Sequence, residues 1–540
     1  MARRAAIGLL ALVSGGLAFL FGQFVFIDSD EANFYFAACD MARGNVLLRG
    51  WSLPPDNFWP LDVTGMAVLI RFLGAGAWVP HAMAAILFAG VVAAALVLAN
   101  PPGRIWSATR LLPVFLFMGL PSFFEQGAVN FLTYTPYHVG TLCMCLWGAV
   151  LVQMIDRGQH RVIALAGLCA ITILLFVGDF FGIVIFVVPL ALVSLLLAVQ
   201  RGQPKDATPI LGCIALGWIV SVIVKLGLGA VGAFARAGLS AGFIPIDKLP
   251  EQTLYTFAAL ADLYGIDVFG KNLLGHHFNN AIASGLKLIS FVGVIAYFYR
   301  DLWIRRRDPD VLAGFDRTSR VLLLGALIDG AAAFLANFHL EREDIIRYFY
   351  PAFVYSVLLY ARQAPKLNRI ALQVSIAGIM LILALSYRDW RVMHRPFVDP
   401  FGIGHQVDST PVVQALARNG LRFGFAGYWD ASAITFAASR DIVARAIRNA
   451  SDSSSTASAC ALVPYPWIGT RSVYGRGFSG QELFVVTRDL PAEPFNALTQ
   501  GAVIAALGLP KTLIRIDAHT TVDVYDREIL ERCPALMVPG

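Results

Sequence analysis

Apolar stretches of about 20 residues recur through the first 390 residues of this chain, and each is long enough to cross about 30 Å of hydrocarbon. Of the 540 residues, 57% are hydrophobic and only 14% charged, too little charge to cover a soluble surface of this size. The sequence therefore predicts a polytopic α-helical membrane protein. Eleven spans are read: 5–27, 80–99, 108–121, 139–155, 161–177, 181–199, 209–232, 283–299, 320–337, 347–361 and 370–386. The run 62–74 is too short to cross and is interrupted by Arg71, so it is expected to form an interfacial helix.

Orientation follows from Lys and Arg. With the N-terminus inside, the inner segments hold 17 basic residues in 60 positions, and the outer ones 7 in about 130. Arg305-Arg306-Arg307 is the strongest cytoplasmic marker. An odd number of crossings puts the C-terminus outside. Phe36-Ala37-Ala38-Cys39 lies too far beyond the first apolar core to serve as a cleavage site, so that span is expected to be retained. The net charge of +6 sits in short inter-helix loops and gives no reason to expect nucleic acid. No Gly-rich phosphate loop follows a strand.

Two domains are expected: a membrane domain over 1–387, with external loops 28–79 and 233–282, and an external α/β domain over 388–540. In the second, strands are read near 423–429, 441–447, 482–487, 512–516 and 521–525, with Asp430 capping a helix through Ala438. Ser451 to Thr456 reads as a loop. Cys460 and Cys533 both fall in this domain, in a compartment that permits a disulfide. Cys39 is a third external thiol. Cys143, Cys145, Cys169 and Cys213 read as small apolar residues in or near spans.

Acidic residues concentrate at the outer ends of the spans. Asp30-Glu31 follows the first span directly and opens a polar, aromatic loop. Asp179 sits where two middle spans break, and Arg347-Tyr348 opens a late one. Carboxylates at a membrane edge are costly and invite a functional reading. The bland alternatives are a helix cap for Asp179, a polar loop pair for His276-His277, a loop terminus for His138, an interfacial anchor for Arg347-Tyr348, and solvated loop acids for Asp28, Asp40 and Asp267. Glycosyl transfer to a hydroxyl needs a base and a cationic partner for the departing phosphate. Asp30 or Glu31 can be the base; Arg347, Arg342, His276 or His277 can face phosphate. Trp51, Trp59, Tyr134 and Tyr137 suit sugar faces or isoprenoid tails. The loop Leu249 to Gly275 reads as an amphipathic lid.

The run Asp30-Glu31-Ala32-Asn33-Phe34-Tyr35-Phe36-Ala37-Ala38-Cys39-Asp40-Met41-Ala42-Arg43-Gly44-Asn45 resembles the first external loop of the GT-C superfamily of membrane glycosyltransferases. Within that superfamily it is most similar to the protein O-mannosyltransferases and the lipid A aminoarabinose transferase. The resemblance implies an N-inside bundle of about eleven helices in the bacterial cytoplasmic membrane, with a C-terminal periplasmic α/β domain. It implies a polyprenyl-phosphate-linked sugar donor and a glycan, lipid or protein acceptor. Asp30 matches the catalytic acid position, Glu31 its acidic neighbour, and Arg347-Tyr348 the late Arg-Tyr element. No cofactor is fixed by it; a divalent metal is compatible.

The segment Leu53-Pro54-Pro55-Asp56 departs from the family's Lys-Pro-Pro-Leu, whose Lys faces the lipid phosphate. Arg49 or a later residue then takes that task, or the donor differs. The competing class is a transporter or flippase of a lipid-linked saccharide. It would need broken mid-membrane helices and repeated halves, and neither is evident here. A catalytically dead scaffold is a third reading, and the intact acidic pair argues against it.

Overall fold

The computed structural model describes residues 2–100, 139–263, 315–363 and 409–536, apart from short breaks within them, and scattered positions between. Helix α1 (Ala2–Gly22) leads to α2 (Ser29–Ala42), then to strand β1 (Trp51–Leu53), a π-helical turn (Trp59–Val63), α3 (Thr64–Leu73) and α4 (Trp78–Leu98). Next come α5 (Val139–Asp156), α6 (Arg161–Gly178), α7 (Phe180–Gln200) with a π turn at Ile183–Val187, and α8 (Thr208–Ala230). Strand β2 (Ala235–Arg236), α9 (Leu249–Leu263), α10 (Arg317–Leu335) and α11 (Arg342–Gln363) complete the first part.

Among the described residues, six helices are long and apolar enough to cross a membrane: α4, α5, α6, α7, α8 and α10. Their composition explains their placement. The flanks of α8 stay largely uncovered, with Trp218, Ile223 and Leu226 exposed, as suits a face turned to lipid. The expected spans 108–121, 283–299 and 370–386 lie largely outside the described residues, as do Arg305–Arg307 and the Ser451 to Thr456 loop.

The helices are stapled at one end by a buried arginine. Arg362 of α11 donates to Ser319 at 2.8 Å, to Gln153 at 3.0 Å and to the Leu98 carbonyl, and it pairs with Asp316. Arg317 pairs with Asp156 at 2.8 Å beside it. These contacts tie the ends of α4, α5, α10 and α11 that lie opposite the Asp30 end. Pro351 interrupts α11, and the next amide, Ala352, donates to the buried Asp329 carboxylate at 2.8 Å. That bond takes up an N–H where the proline breaks the helical ladder.

The segment 409–536 carries α12 (Thr410–Arg418), β3 (Phe423–Ala426), α13 (Tyr428–Ala437), β4 (Val443–Asn449), β5 (Leu462–Pro464), β6 (Gly469–Thr470), β7 (Glu482–Arg488), α14 (Gln500–Leu507), β8 (Thr512–Arg515) and β9 (Thr520–Asp526). Six strands form one sheet in the order β5-β4-β3-β7-β9-β8, parallel at β3–β4 and β3–β7 and antiparallel elsewhere. One apolar cluster packs on each face. Gly424 is required in β3, because a Cβ there would meet the Phe484 carbonyl oxygen at 2.1 Å. Cys460 and Cys533 are bonded, Cα to Cα 5.2 Å, beneath the first of those clusters.

Three expectations meet the structure here, and one of them, the Asp430 cap, is corrected. The polar, aromatic loop that Asp30 and Glu31 open is helical at its start, and both occupy the first turn of α2. Asp430 does not cap α13, whose N-cap is Gly427. It instead forms a two-pronged pair with Arg488, at 2.8 and 3.0 Å from Nε, because the helix begins two residues earlier and carries it inward. The lid helix exists as α9, with its polar side turned inward. Gln252 and Thr256 donate to the Ala333 carbonyl, leaving Leu254 and Phe257 exposed.

Candidate active site at the start of helix α2

Asp28 creates the site's geometry. Its extended backbone stops the chain from being helical, and its carboxylate accepts the Glu31 amide at 3.0 Å. That is an N-cap, and the open amides of a first turn favour the acids that follow. Spacing within a helix then sends Asp30 and Glu31 to different sides.

Glu31 points inward. It is 1% exposed, and neither carboxyl oxygen has a hydrogen-bond partner among the described residues. A capping box would turn this side chain back to the Asp28 amide, and it does not do so. Burial pushes the Glu31 carboxyl well above the usual carboxylate range, with the Asp28 and Asp30 charges adding to it. Burial therefore favours the protonated, neutral form of Glu31. Asp30 is half-buried and accepts a hydrogen bond from the Tyr428 hydroxyl of α13. Burial, then the Asp30 charge, pushes the Tyr428 phenol well up, so it stays a donor.

The same faces of α2 and α13 meet along their length. Ser29 Oγ accepts from the amides of Ser432 and Ala433, at 3.2 and 3.3 Å, and Ser432 donates to Asn33 at 2.8 Å. Tyr35 and Phe436 pack edge to face with centroids 5.1 Å apart. Sequence reading missed Tyr428, Ser432 and Asn33. The only local signal was a helix beginning directly after a strand at Gly427, and nothing in the chain says that this corner returns to Asp30.

The rest of loop one docks on the break between α6 and α7. Asn57 donates from its amide to the Gly178 carbonyl at 2.9 Å and from its side chain to the Val177 carbonyl at 3.0 Å. Asp56 accepts the Phe180 amide at 3.0 Å. Gly178 permits this approach, since a Cβ would sit 2.7 Å from Pro60. Asp179 caps α7 by accepting the Phe181 amide at 2.8 Å, and it also takes the Thr141 hydroxyl. The cap reading of Asp179 is thus what its contacts display. Tyr348 packs edge-on against Phe181 with centroids 5.4 Å apart, so it belongs to this break.

The remaining candidates separate. Trp59 donates to the Val46 carbonyl at 3.0 Å and faces Phe234, with ring centroids 5.7 Å apart. Trp51 donates to Asp40 at 2.9 Å, and Arg49 is exposed beside it. His138, His276, His277 and the Arg347 side chain lie outside the described residues. Among the described residues, no group of three or more His, Cys, Asp and Glu is arranged to hold a metal ion.

Loop one, loop 233–282 and the C-terminal sheet region are stitched together by short strands. Trp51–Leu53 pairs in parallel with Ala235–Arg236 and antiparallel with Gly469–Thr470. Asp30 therefore lies under a roof made by the sheet region.

No protein-family model matches the chain, and no curated protein matches it. Its fold is similar to the crystal structure of ArnT from Cupriavidus metallidurans bound to undecaprenyl phosphate. The TM-score is 0.52 at 12% identity, covering 96% of this chain and 98% of that one. At that identity the likeness is one of fold.

Proposed function

We propose that this chain is a membrane glycosyltransferase that moves a sugar from a polyprenyl-phosphate donor to an acceptor hydroxyl. The observation that carries the reading is the fold shared with ArnT over nearly the whole chain, since that structure holds undecaprenyl phosphate. The arrangement at α2 agrees with it. Asp30 is the base: it takes the acceptor proton as the acceptor oxygen attacks the anomeric carbon. The bond from that carbon to the phosphate oxygen breaks, and polyprenyl phosphate leaves. Glu31, neutral and dry, does not compete for the proton and shapes the wall behind Asp30. Arg347, one helical position before Tyr348, is the first choice to face the departing phosphate.

The reaction is assigned to the outer face of the bacterial cytoplasmic membrane, with residues 388–540 in the periplasm. Basic residues crowd the opposite loops, and nucleotide sugars are not available outside. Purified protein given labelled polyprenyl-phosphate sugars should transfer label to a membrane-extract acceptor. Asp30→Asn, which keeps the shape and removes the proton acceptor, should lower the rate by ~10²-fold or more. Normal turnover in that variant would move the base elsewhere. Transfer from a soluble nucleotide sugar with no lipid present would overturn the donor.

A further inference from the structure

A cavity of about 600 Å³ lies between α2 and the sheet region, within the usual size of a small-ligand pocket. Among the described residues, its lining comes from segments 33–51 and 423–470. Along α2 the lining residues Asn33, Phe36, Asp40 and Arg43 follow helical spacing, on the face that begins one turn after Asp30. That turn is about 5 Å of helix rise.

The charge of this cavity is one-sided. Among the described residues, four arginines line it, Arg43, Arg49, Arg440 and Arg445, against one carboxylate, Asp40. Asp40 is already held by two neutral donors, Asn45 and Trp51, each at 2.9 Å. Among the described residues, Arg43, Arg49 and Arg440 form no ion pair. Arg440 is held at the rim by a left-handed backbone, φ +71°, after Ser439 at φ +51°, and its guanidinium lies 4.6 Å from the Phe36 ring centroid. Two successive non-glycine residues in that region are costly, and the turn they make carries this arginine to the cavity. Guanidinium groups that outnumber the carboxylates around them repel one another, and an anion relieves that repulsion through forked hydrogen bonds. Between the arginines stand neutral hydrogen-bonding groups, Asn45, Ser432 and Thr470, with the Trp51 ring among them.

We propose that this cavity binds an anionic saccharide unit of the acceptor, its phosphate or carboxylate on the arginines and its hydroxyls on the neutral groups. The word acceptor rests on the glycosyltransferase reading; the binding of an anionic sugar does not. A physical link runs from the cavity to the base. Tyr465 lines the cavity and packs edge to face on Tyr428, centroids 5.5 Å apart, and Tyr428 holds Asp30. A saccharide seated here would present its neighbouring unit toward Asp30.

The test is titration calorimetry on the full chain in detergent, without donor, using glucose 6-phosphate, glucuronate, glucose and inorganic phosphate. Glucose 6-phosphate or glucuronate should bind at millimolar or tighter affinity and weaken with salt, the tighter of the two identifying the anion. Arg49→Gln with Arg440→Gln, both exposed positions, should weaken binding about tenfold or more. Phenylglyoxal labelling of Arg49 and Arg440, read by mass spectrometry, should fall when the ligand is present. Glucose binding as tightly would overturn the role of charge, and inorganic phosphate binding as tightly would overturn the saccharide. No binding, or unchanged binding in the double variant, would overturn the site. Asp30→Asn should bind like the wild type, so failure of this site and failure of the proposed base are separate results.

Discussion

Replacing Glu31 with Gln should flatten the stability of this protein against pH. The carboxyl is 1% exposed and neither of its oxygens is hydrogen-bonded to a described group, so the folded state holds it neutral. Its pKa is raised, chiefly by burial, while in the unfolded chain it returns to about 4.3. Below that value both states are protonated and pH has no effect through this group. Above it the unfolded state loses the proton and the folded state keeps it. Folded protein then binds more protons, so stability falls as pH rises, by about 1.4 kcal/mol per pH unit. The fall ends where the folded carboxyl finally ionises. Glu31→Gln has no proton to lose and lacks this slope. Thermal unfolding of both proteins in one detergent, at several pH values, reads the difference between midpoints. That difference should move steadily in favour of the Gln variant as pH rises. Parallel curves would show that Glu31 is ionised or paired in the folded state, and the neutral-acid assignment would fall with it.

Tyr428→Phe removes the hydroxyl on Asp30 and nothing else; a hydrogen bond to a carboxylate contributes about 1.5–3 kcal/mol to stability, so the thermal midpoint should fall by a few degrees, and transfer should drop about tenfold or more as Asp30 loses the group that positions it. Turnover at the wild-type rate would remove Tyr428 from the site. Arg362→Leu leaves Gln153 and the Leu98 carbonyl without their donor and Asp316, which is 36% exposed, without its cation, and should cost about 1–3 kcal/mol, seen as a lower midpoint in detergent. Arg362→Lys should recover only part of it, because an ammonium cannot make the fork; a midpoint unchanged in both would refute the staple. Cys460→Ser opens a bridge between residues 73 apart, worth ~4 kcal/mol in the chain-entropy model. It should lower the midpoint under non-reducing conditions to the value that the wild type reaches with reductant.

The membrane helices were legible because their signal is local. A run such as 80–99 needs only its own apolar length to be read, and α4 forms over Trp78–Leu98. Strand β7 was legible for the same reason, an apolar run from Leu483 to Val486. Helix α2 was not, because Ser29 to Ala42 mixes acids, aromatics and alanines with no clean stripe. Its cap, Asp28 with Glu31 three residues on, has the spelling of a capping box, but the structure closes only half of it. The three-residue strand at Trp51 has no spelling at all. Its partners lie near residues 235 and 470, so only the folded chain shows that they meet. The same holds for Tyr428, 398 residues from Asp30. The sequence could point to the acid that an outer-face reaction would need, since a carboxylate at a membrane exit is conspicuous by its cost. It could not point to the groups that position that acid, since a tyrosine at a strand-to-helix corner costs nothing locally. It follows that the sheet region is part of the site rather than an appendage. A substitution confined to α13 should be felt at Asp30 even though hundreds of residues, and the six long apolar helices among the described residues, lie between them.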